Sequence, residues 1–243
     1  MSVRFWTGLV MAQSYTLNDR GQVFIDRGHF HIYDRGQLWN QLEHTPMSGK
    51  RIFVLNGHPA QTSLNRHLAE TYAAAARKAG HEVRLTHLAD MEFDPDHGFA
   101  GYAQHKPLEA VLQAFRSDVE WAEHMVLTTP MWWGGLPAKL KGLIDRTFLP
   151  GWAFDTRNRN RIGMPRPMLG GRTARAIVTS DSPDLFFALM YRKALLRQIR
   201  GQIFNFVGMR PAKTTHLAPV GEANAGTIEG WQRQIDALGA AGR

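Results

Sequence analysis

The sequence predicts an α/β fold: a doubly wound, five-stranded parallel sheet with helices on both faces. Two observations carry this. From Arg51 onward, short apolar or β-branched runs alternate with segments of helical period, the pattern of strands joined by right-handed helical crossovers. Three of those runs end in turn-forming clusters that open into a helix: Asn56-Gly57-His58-Pro59, Pro130 to Gly135, and Ser180 to Pro183. A chain of 243 residues is long enough to bury a full core as one domain.

Residues 1–46 fit the pattern least. Neither period is sustained there, and Phe24-Ile25 and Phe30-His31-Ile32-Tyr33 are short strand candidates without a convincing partner. The expectation is a poorly ordered extension, or sequence translated from too early a start with Met47 the true one, and a folded domain over 47–243. Arg51 to Leu55 is strand one. Thr62 or Ser63 caps the helix that follows, in which Leu64, Leu68, Tyr72 and Ala76 share a face and Gly80 is the stop. Glu82 to Leu88 alternates and is strand two. A loop from Ala89 to His105 leads to a helix with Leu108, Val111, Leu112 and Phe115 on one face. His124 to Thr129 is strand three, ended by Pro130. Pro137 supplies the fixed φ of a first helical turn, and Leu140, Leu143, Ile144 and Phe148 then form one apolar stripe.

Gly151 to Gly171 is a long basic loop, too long for a mere connection and so expected to be functional. Strand four is Thr173 to Thr179. Pro183 opens a helical segment whose Leu185, Leu189, Leu195, Leu196 and Ile199 continue toward Phe206, with Gly208 as the stop. Ala212 to Ala218 is strand five, and Thr227 to Leu238 the last helix. Five such strands suit the order 2-1-3-4-5. Its switch point, between strands one and three, is where open sheets of this kind bind ligands.

Composition narrows the function classes. The formal net charge of +8 would suit a nucleic acid, but the basic residues are spread over loops and helices. Only Arg157 to Arg161 is dense, and no aromatics are interleaved there, so no nucleic-acid partner is expected. A basic rim that attracts a dinucleotide phosphate is the more economical reading. No apolar run is long enough to span a bilayer, the N-terminus lacks a signal-peptide pattern, and cysteine is absent. These features point to a cytoplasmic enzyme without membrane insertion, disulfides or thiolate metal sites. No metal is expected, for want of a His-x-x-x-His or His-Glu-x-x-His pattern. Serine hydrolysis is not expected either, for want of a Gly-x-Ser-x-Gly elbow.

Three loops are left to carry chemistry. His58 and Thr62-Ser63-Leu64-Asn65 stand where strand one meets its helix. Free N–H groups there suit a phosphate, while a plain cap and a turn histidine would use the same residues. Trp132 and Trp133, on a Gly-rich strand-to-helix loop, need a flat partner: core, dimer interface or planar ligand. Ser180-Asp181-Ser182-Pro183, read alone, is a helix-capping turn.

The run P-M-W-W-G-G-L-P-A-K-L-K-G-L-I-D-R-T-F from Pro130 to Phe148, with G-W-A-F from Gly151 to Phe154, resembles the NAD(P)H:quinone oxidoreductase family. These are flavoproteins of the flavodoxin-like fold. The resemblance runs with gaps from about Arg51 to Leu238, through G-H-P-A-Q-T-S-L-N at Gly57–Asn65 and G-W-Q-R-Q-I-D at Gly230–Asp236, and does not reach residues 1–46. It implies that His58, Thr62, Ser63, Leu64 and Asn65 cradle a flavin phosphate. Pro130, Met131, Trp132, Trp133 and Gly134 would wall the isoalloxazine pocket, with backbone N–H groups reaching N5 and O4. Thr179, Ser180, Asp181 and Ser182 would face N1 and O2, with the Asp181 carboxylate turned away to cap the helix.

FMN is expected, with FAD the alternative, because no arginine near Gly226 is available for an adenosine half. NAD(P)H is the implied co-substrate, and a quinone or related aromatic the acceptor, reduced by two electrons in ping-pong fashion. Relatives place a Tyr and a His after the third loop. Here Asp181 to Gly201 contains Tyr191 and no histidine, so Tyr191 is the candidate for a catalytic side chain. A homodimer is expected through Trp152, Phe154, Phe186, Phe187 and Tyr191. The competing readings are a regulatory ancillary subunit of a glutathione-gated potassium efflux system and a one-electron flavodoxin-type carrier; the basic charge argues against the carrier.

Overall fold

The computed structural model describes residues 49–243, together with a short antiparallel pair, Thr16–Leu17 with Val23–Phe24, in the N-terminal unit. Phe24 of the first strand candidate thus pairs with Thr16. Ile25, the second candidate at Phe30–Tyr33 and the expected boundary at Met47 lie outside the described residues.

In the larger unit, β1 (Arg51–Asn56), β2 (Glu82–His87), β3 (His124–Pro130), β4 (Thr173–Thr179) and β5 (Ala212–Leu217) form one parallel sheet in the order β2-β1-β3-β4-β5. Burial explains the order. Every residue of β3 is buried, as are five of the six in β1 and six of the seven in β4, so these strands are covered on both faces and belong in the middle. The edge strands β2 and β5 are half-exposed.

Alternate residues point to opposite faces. Ile52, Val54, Val126, Ile177 and Leu217 meet α1 (Leu64–Lys78) and α6 (Ala225–Ala240) through Leu68, Tyr72 and Ile235. Phe53, Leu55, Met125, Leu127 and Val178 meet the other layer, which includes α2 (Ala110–Trp121) and α3 (Ala138–Thr147). Ser63 caps α1, its hydroxyl accepting from Arg66 N at 3.1 Å. α6 lies close on α1 because Gly239 has no side chain; a Cβ there would fall 2.5 Å from the carbonyl oxygen of Tyr72.

The structure departs from the sequence reading in four places. The Gly151–Gly171 segment is not an open loop: it holds an irregular hairpin of Phe154–Arg159 and Pro165–Pro167. The helical segment after Pro183 is broken. α4 (Asp184–Tyr191) ends where Arg192 and Lys193 both turn left-handed, at φ 48° and 51°. α5 (Ala194–Arg197) then runs into a π-helical stretch, Gln198–Asn205. The two halves bury different stripes: Leu195, Leu196 and Ile199 are core, whereas Leu185 and Leu189 are exposed. The last helix is longer than Thr227–Leu238, because Asn224 caps it and starts it at Ala225. Phe187, assigned to the surface patch, is buried in the core, and Trp152 and Phe154 are partly buried against it.

One buried cation organises the long connection before α2. Arg146 on α3 is 2% exposed, and its guanidinium donates to the carbonyls of Asp94 and Pro107 and, at 2.8 Å, to the Glu109 carboxylate. No helix among the described residues is long and apolar enough to cross a membrane.

Candidate cofactor-binding site

The loops after β1, β3 and β4 all leave the carboxyl edge of the sheet, and side chains tie them together. The His58 ring stands edge-on to Trp132, with centroids 5.4 Å apart, joining the first loop to the second. Asn65 Nδ2 donates to Thr179 Oγ1 at 2.8 Å, joining the first to the third. Met131 N donates to Thr179 O at 2.8 Å, joining the second to the third. Thr128 Oγ1 donates to Asn65 O at 2.9 Å and seats the start of α1 on β3.

The first loop ends in a helix N-terminus. Ser63 takes the Arg66 N–H with its hydroxyl and the His67 N–H with its carbonyl. Among the described residues the N–H groups of Ser63, Leu64 and Asn65 make no bond, the arrangement that holds an anion. Asn65 is buried, and its Oδ1 has no partner in the structure. An acceptor left dry and unpaired is costly, so it calls for a donor such as a sugar hydroxyl. The His58 ring accepts from Ala60 N at Nδ1, and burial holds its pKa below the usual 6.5, so it stands neutral at pH 7 with Nε2–H as its donor. Thr62 is exposed and is not the cap.

The second loop is a tight reverse turn. Trp132 N donates to Gly135 O at 3.0 Å and Gly135 N to Trp132 O at 2.9 Å, with Trp133 (φ 52°) and Gly134 (φ 74°) both left-handed between them. That is the backbone of a type I′ turn. Of the N–H groups expected to face a ring, those of Met131, Trp132 and Gly135 are consumed within the protein. Trp133 and Gly134 keep theirs among the described residues. Neither tryptophan fills the core. Trp133 is fully exposed and Trp132 nearly half so. A Cβ on Gly134 would meet nothing within 4 Å, so the turn faces open space.

In the third loop, Ser180 N donates to Leu217 O at 3.2 Å, leaving the N–H groups of Asp181 and Ser182 unspent among the described residues. The Asp181 carboxylate does not cap the helix. It accepts from Gly221 N at 2.7 Å, while Pro183 occupies the cap position of α4 without a side-chain bond. Tyr191 is not brought to this edge by any contact; it lies exposed at the end of α4 against Phe186.

Two residues that sequence reasoning missed do reach the loop. His216 of β5 lies 2.8 Å from Ser180 Oγ through Nε2, and 2.8 Å from Asp184 Oδ1 through Nδ1. The hydrogen bond from His216, and a second from Lys193, hold the Asp184 carboxyl below its usual pKa. Among the described residues no three His, Cys, Asp or Glu side chains are grouped as a metal ion would need.

Comparison with known proteins agrees with this fold. A family model described as flavodoxin-like fold matches residues 50–238. The chain is 23% identical over 218 residues to the NAD(P)H dehydrogenase [quinone] 1 of Rattus norvegicus, covering 79% of this chain and 78% of that one. A solved NAD(P)H:quinone oxidoreductase from Methanothermobacter marburgensis superposes with a TM-score of 0.67 at 20% identity, over 80% of this chain and all of that one. An FMN-dependent NADH-azoreductase from Bacillus anthracis, solved in complex with FMN, superposes with a TM-score of 0.59 at 12% identity, over 79% and 98%.

Proposed function

The chain belongs to the NAD(P)H:quinone oxidoreductase family of flavodoxin-like fold, and from that premise we propose that it is a flavin-dependent reductase passing electron pairs from NAD(P)H to quinones or related aromatics. The observation that carries this reading is the convergence of unspent polar groups from three loops on one sheet edge, beside two exposed tryptophans. A flavin bound there supplies hydride acceptance and donation, chemistry that no side chain of this site offers.

The residues divide the work. The N–H groups of Ser63, Leu64 and Asn65 hold a phosphate at the positive end of α1. Asn65 Oδ1 takes a hydroxyl of the sugar chain. The turn at Trp133 and Gly134 and the N–H groups of Asp181 and Ser182 orient the polar rim of the ring, and Trp132 closes the side toward His58. FMN fits better than FAD, since residues 220–230 contain no lysine or arginine for an adenosine half. Nicotinamide and quinone are both flat and use the same open side of the turn, so they must alternate.

The test is direct. The purified protein should be yellow, and heat should release a compound with the mass of FMN. Initial rates with NADPH or NADH against 1,4-benzoquinone should give parallel double-reciprocal lines. A colourless protein that takes up no flavin would refute the reading. Release of FAD would correct the cofactor, and intersecting lines the order of events.

A further inference from the structure

Ser180, His216 and Asp184 come from the third loop, β5 and the first turn of α4, and they form one continuous hydrogen-bonded chain. Both links are 2.8 Å long. The His216 side chain is 5% exposed, and the buried Phe187 ring covers it at a centroid distance of 5.2 Å. The outer end is held as well: Lys193 Nζ donates to Asp184 Oδ2 at 2.9 Å. Asp184 and, behind it, Lys193 are the charged groups that the described residues place on this chain.

Each link fixes the next. An ionised carboxylate can only accept, so His216 Nδ1 carries a hydrogen. Nε2 then faces Ser180 with a lone pair when the ring is neutral and with an N–H when it is charged. The Ser180 hydroxyl donates to His216 in the first state; in the second its hydrogen turns away from the ring, on the side where the Ser182 carbonyl lies 3.4 Å away. Ser180 is 6% exposed and directly follows Thr179, whose hydroxyl accepts from Asn65.

Resting on the reductase reading above, we propose that His216 and Asp184 are positioning residues that make Ser180 the terminus of a proton relay for quinone reduction. The reaction NAD(P)H + H⁺ + quinone → NAD(P)⁺ + hydroquinone moves two electrons and one hydrogen as hydride and consumes one further proton. Charged His216 gives its Nε2–H to Ser180 Oγ as the Ser180 O–H proton leaves for the acceptor oxygen. One N–H and one O–H bond break, two O–H bonds form, and water recharges the ring. The relay supplies from β5 the histidine that the Asp181–Gly201 segment lacks.

The same residue types serve acyl transfer in hydrolases. That role fails here on backbone grounds. Ser180 is not in the left-handed region, so the strained elbow that presents a nucleophile is missing, and the N–H of Ser180 itself is consumed by Leu217 O.

The test uses the full chain. In flavin-free protein labelled with ¹⁵N-histidine, the neutral form of His216 should show a single Nδ1–H tautomer, and Asp184→Asn should abolish that preference. In flavin-loaded protein, reoxidation by 1,4-benzoquinone should slow as pH rises through one ionisation. Ser180→Ala and Asp184→Asn should lose that pH dependence and run about tenfold slower on the low-pH plateau. Ser180→Thr, which keeps the hydroxyl, should retain both. A mixed or Nε2–H tautomer in the wild type overturns the relay whatever the cofactor result. So does a Ser180→Ala profile that matches the wild type, or a loss of melting temperature with the profile unmoved. Absence of flavin binding overturns the reductase reading and the relay together.

Discussion

At the scale of single residues, two side chains sit where folding alone would not put them. Trp133 holds a left-handed backbone at φ 52°, a conformation that costs a non-glycine residue of order 1 kcal/mol, and its side chain gains no burial in return. Strain retained without packing points to a ligand contact. Trp133→Gly should therefore raise unfolding free energy by about 1 kcal/mol in urea titration while weakening FMN binding severalfold. Unchanged FMN affinity would show that the side chain is not part of the site. His124 is the second. Its ring accepts or donates at Nδ1 with Thr173 Oγ1 at 2.6 Å, its Nε2 is buried without a partner, and burial pushes its pKa down to about 3. The unfolded chain takes up a proton at this side chain near pH 6.5, whereas the folded chain does not until far lower. Its contribution is thus complete above about pH 6.5 and is lost as pH falls toward 3, by up to about 1.4 kcal/mol per unit. Urea titrations at pH 7 and pH 5 should show the wild type weakening, and His124→Leu weakening less over the same interval.

At the scale of elements, Arg146 makes the clearest energetic claim. Its guanidinium satisfies two carbonyls and a carboxylate that belong to the connection between β2 and α2. Arg146→Met keeps the volume but leaves those groups unpaired, and should cost about 2–4 kcal/mol, read as a lower denaturation midpoint. The same comparison of local and non-local causes explains what could be read from the sequence. The five strands were legible because each is a short apolar run whose period and flanking turns are local. So was the cap of α1, to within Thr62 or Ser63. The break at Arg192–Lys193 was not legible: Leu185 and Leu189 continue the apolar spacing of Leu195 and Ile199, yet the two stripes face different surroundings. The three loops of the site could be found because each is contiguous. The Ser180–His216–Asp184 chain could not, since its parts lie on separate elements and only the β4–β5 register, which sets Val178 beside His216, brings them together. The Gly151–Gly171 hairpin escaped because Pro165 and Pro167 and the irregular register erase a strand's alternation.

At the scale of the molecule, we expect residues 47–243 to carry the fold, since the family match begins at residue 50. Removing 1–46 should shift the melting midpoint by no more than a few degrees, the scale of about 1 kcal/mol in a domain of this size; loss of soluble protein or of flavin on truncation would refute this. Among the described residues, one helix leaves large apolar side chains in water. Along α4, Leu185 and Leu189 are each 71% exposed, and Phe186, Met190 and Tyr191 are exposed beside them. Five large apolar side chains in eight residues form a continuous patch that costs roughly 25 cal/mol for each Å² left in water. α4 starts four residues after Ser180, so a partner that covers this helix also lies next to the third loop of the site. We expect a second copy of the chain to cover the patch, since two-fold symmetry supplies matching chemistry and requires no other component. The prediction is a homodimer at micromolar concentration by sedimentation velocity. Leu185→Glu with Leu189→Glu should shift it to monomer and lower flavin retention, with the far-ultraviolet circular dichroism unchanged. A wild-type monomer with full quinone reductase activity would overturn the dimer and leave α4 as an exposed apolar helix in need of another explanation.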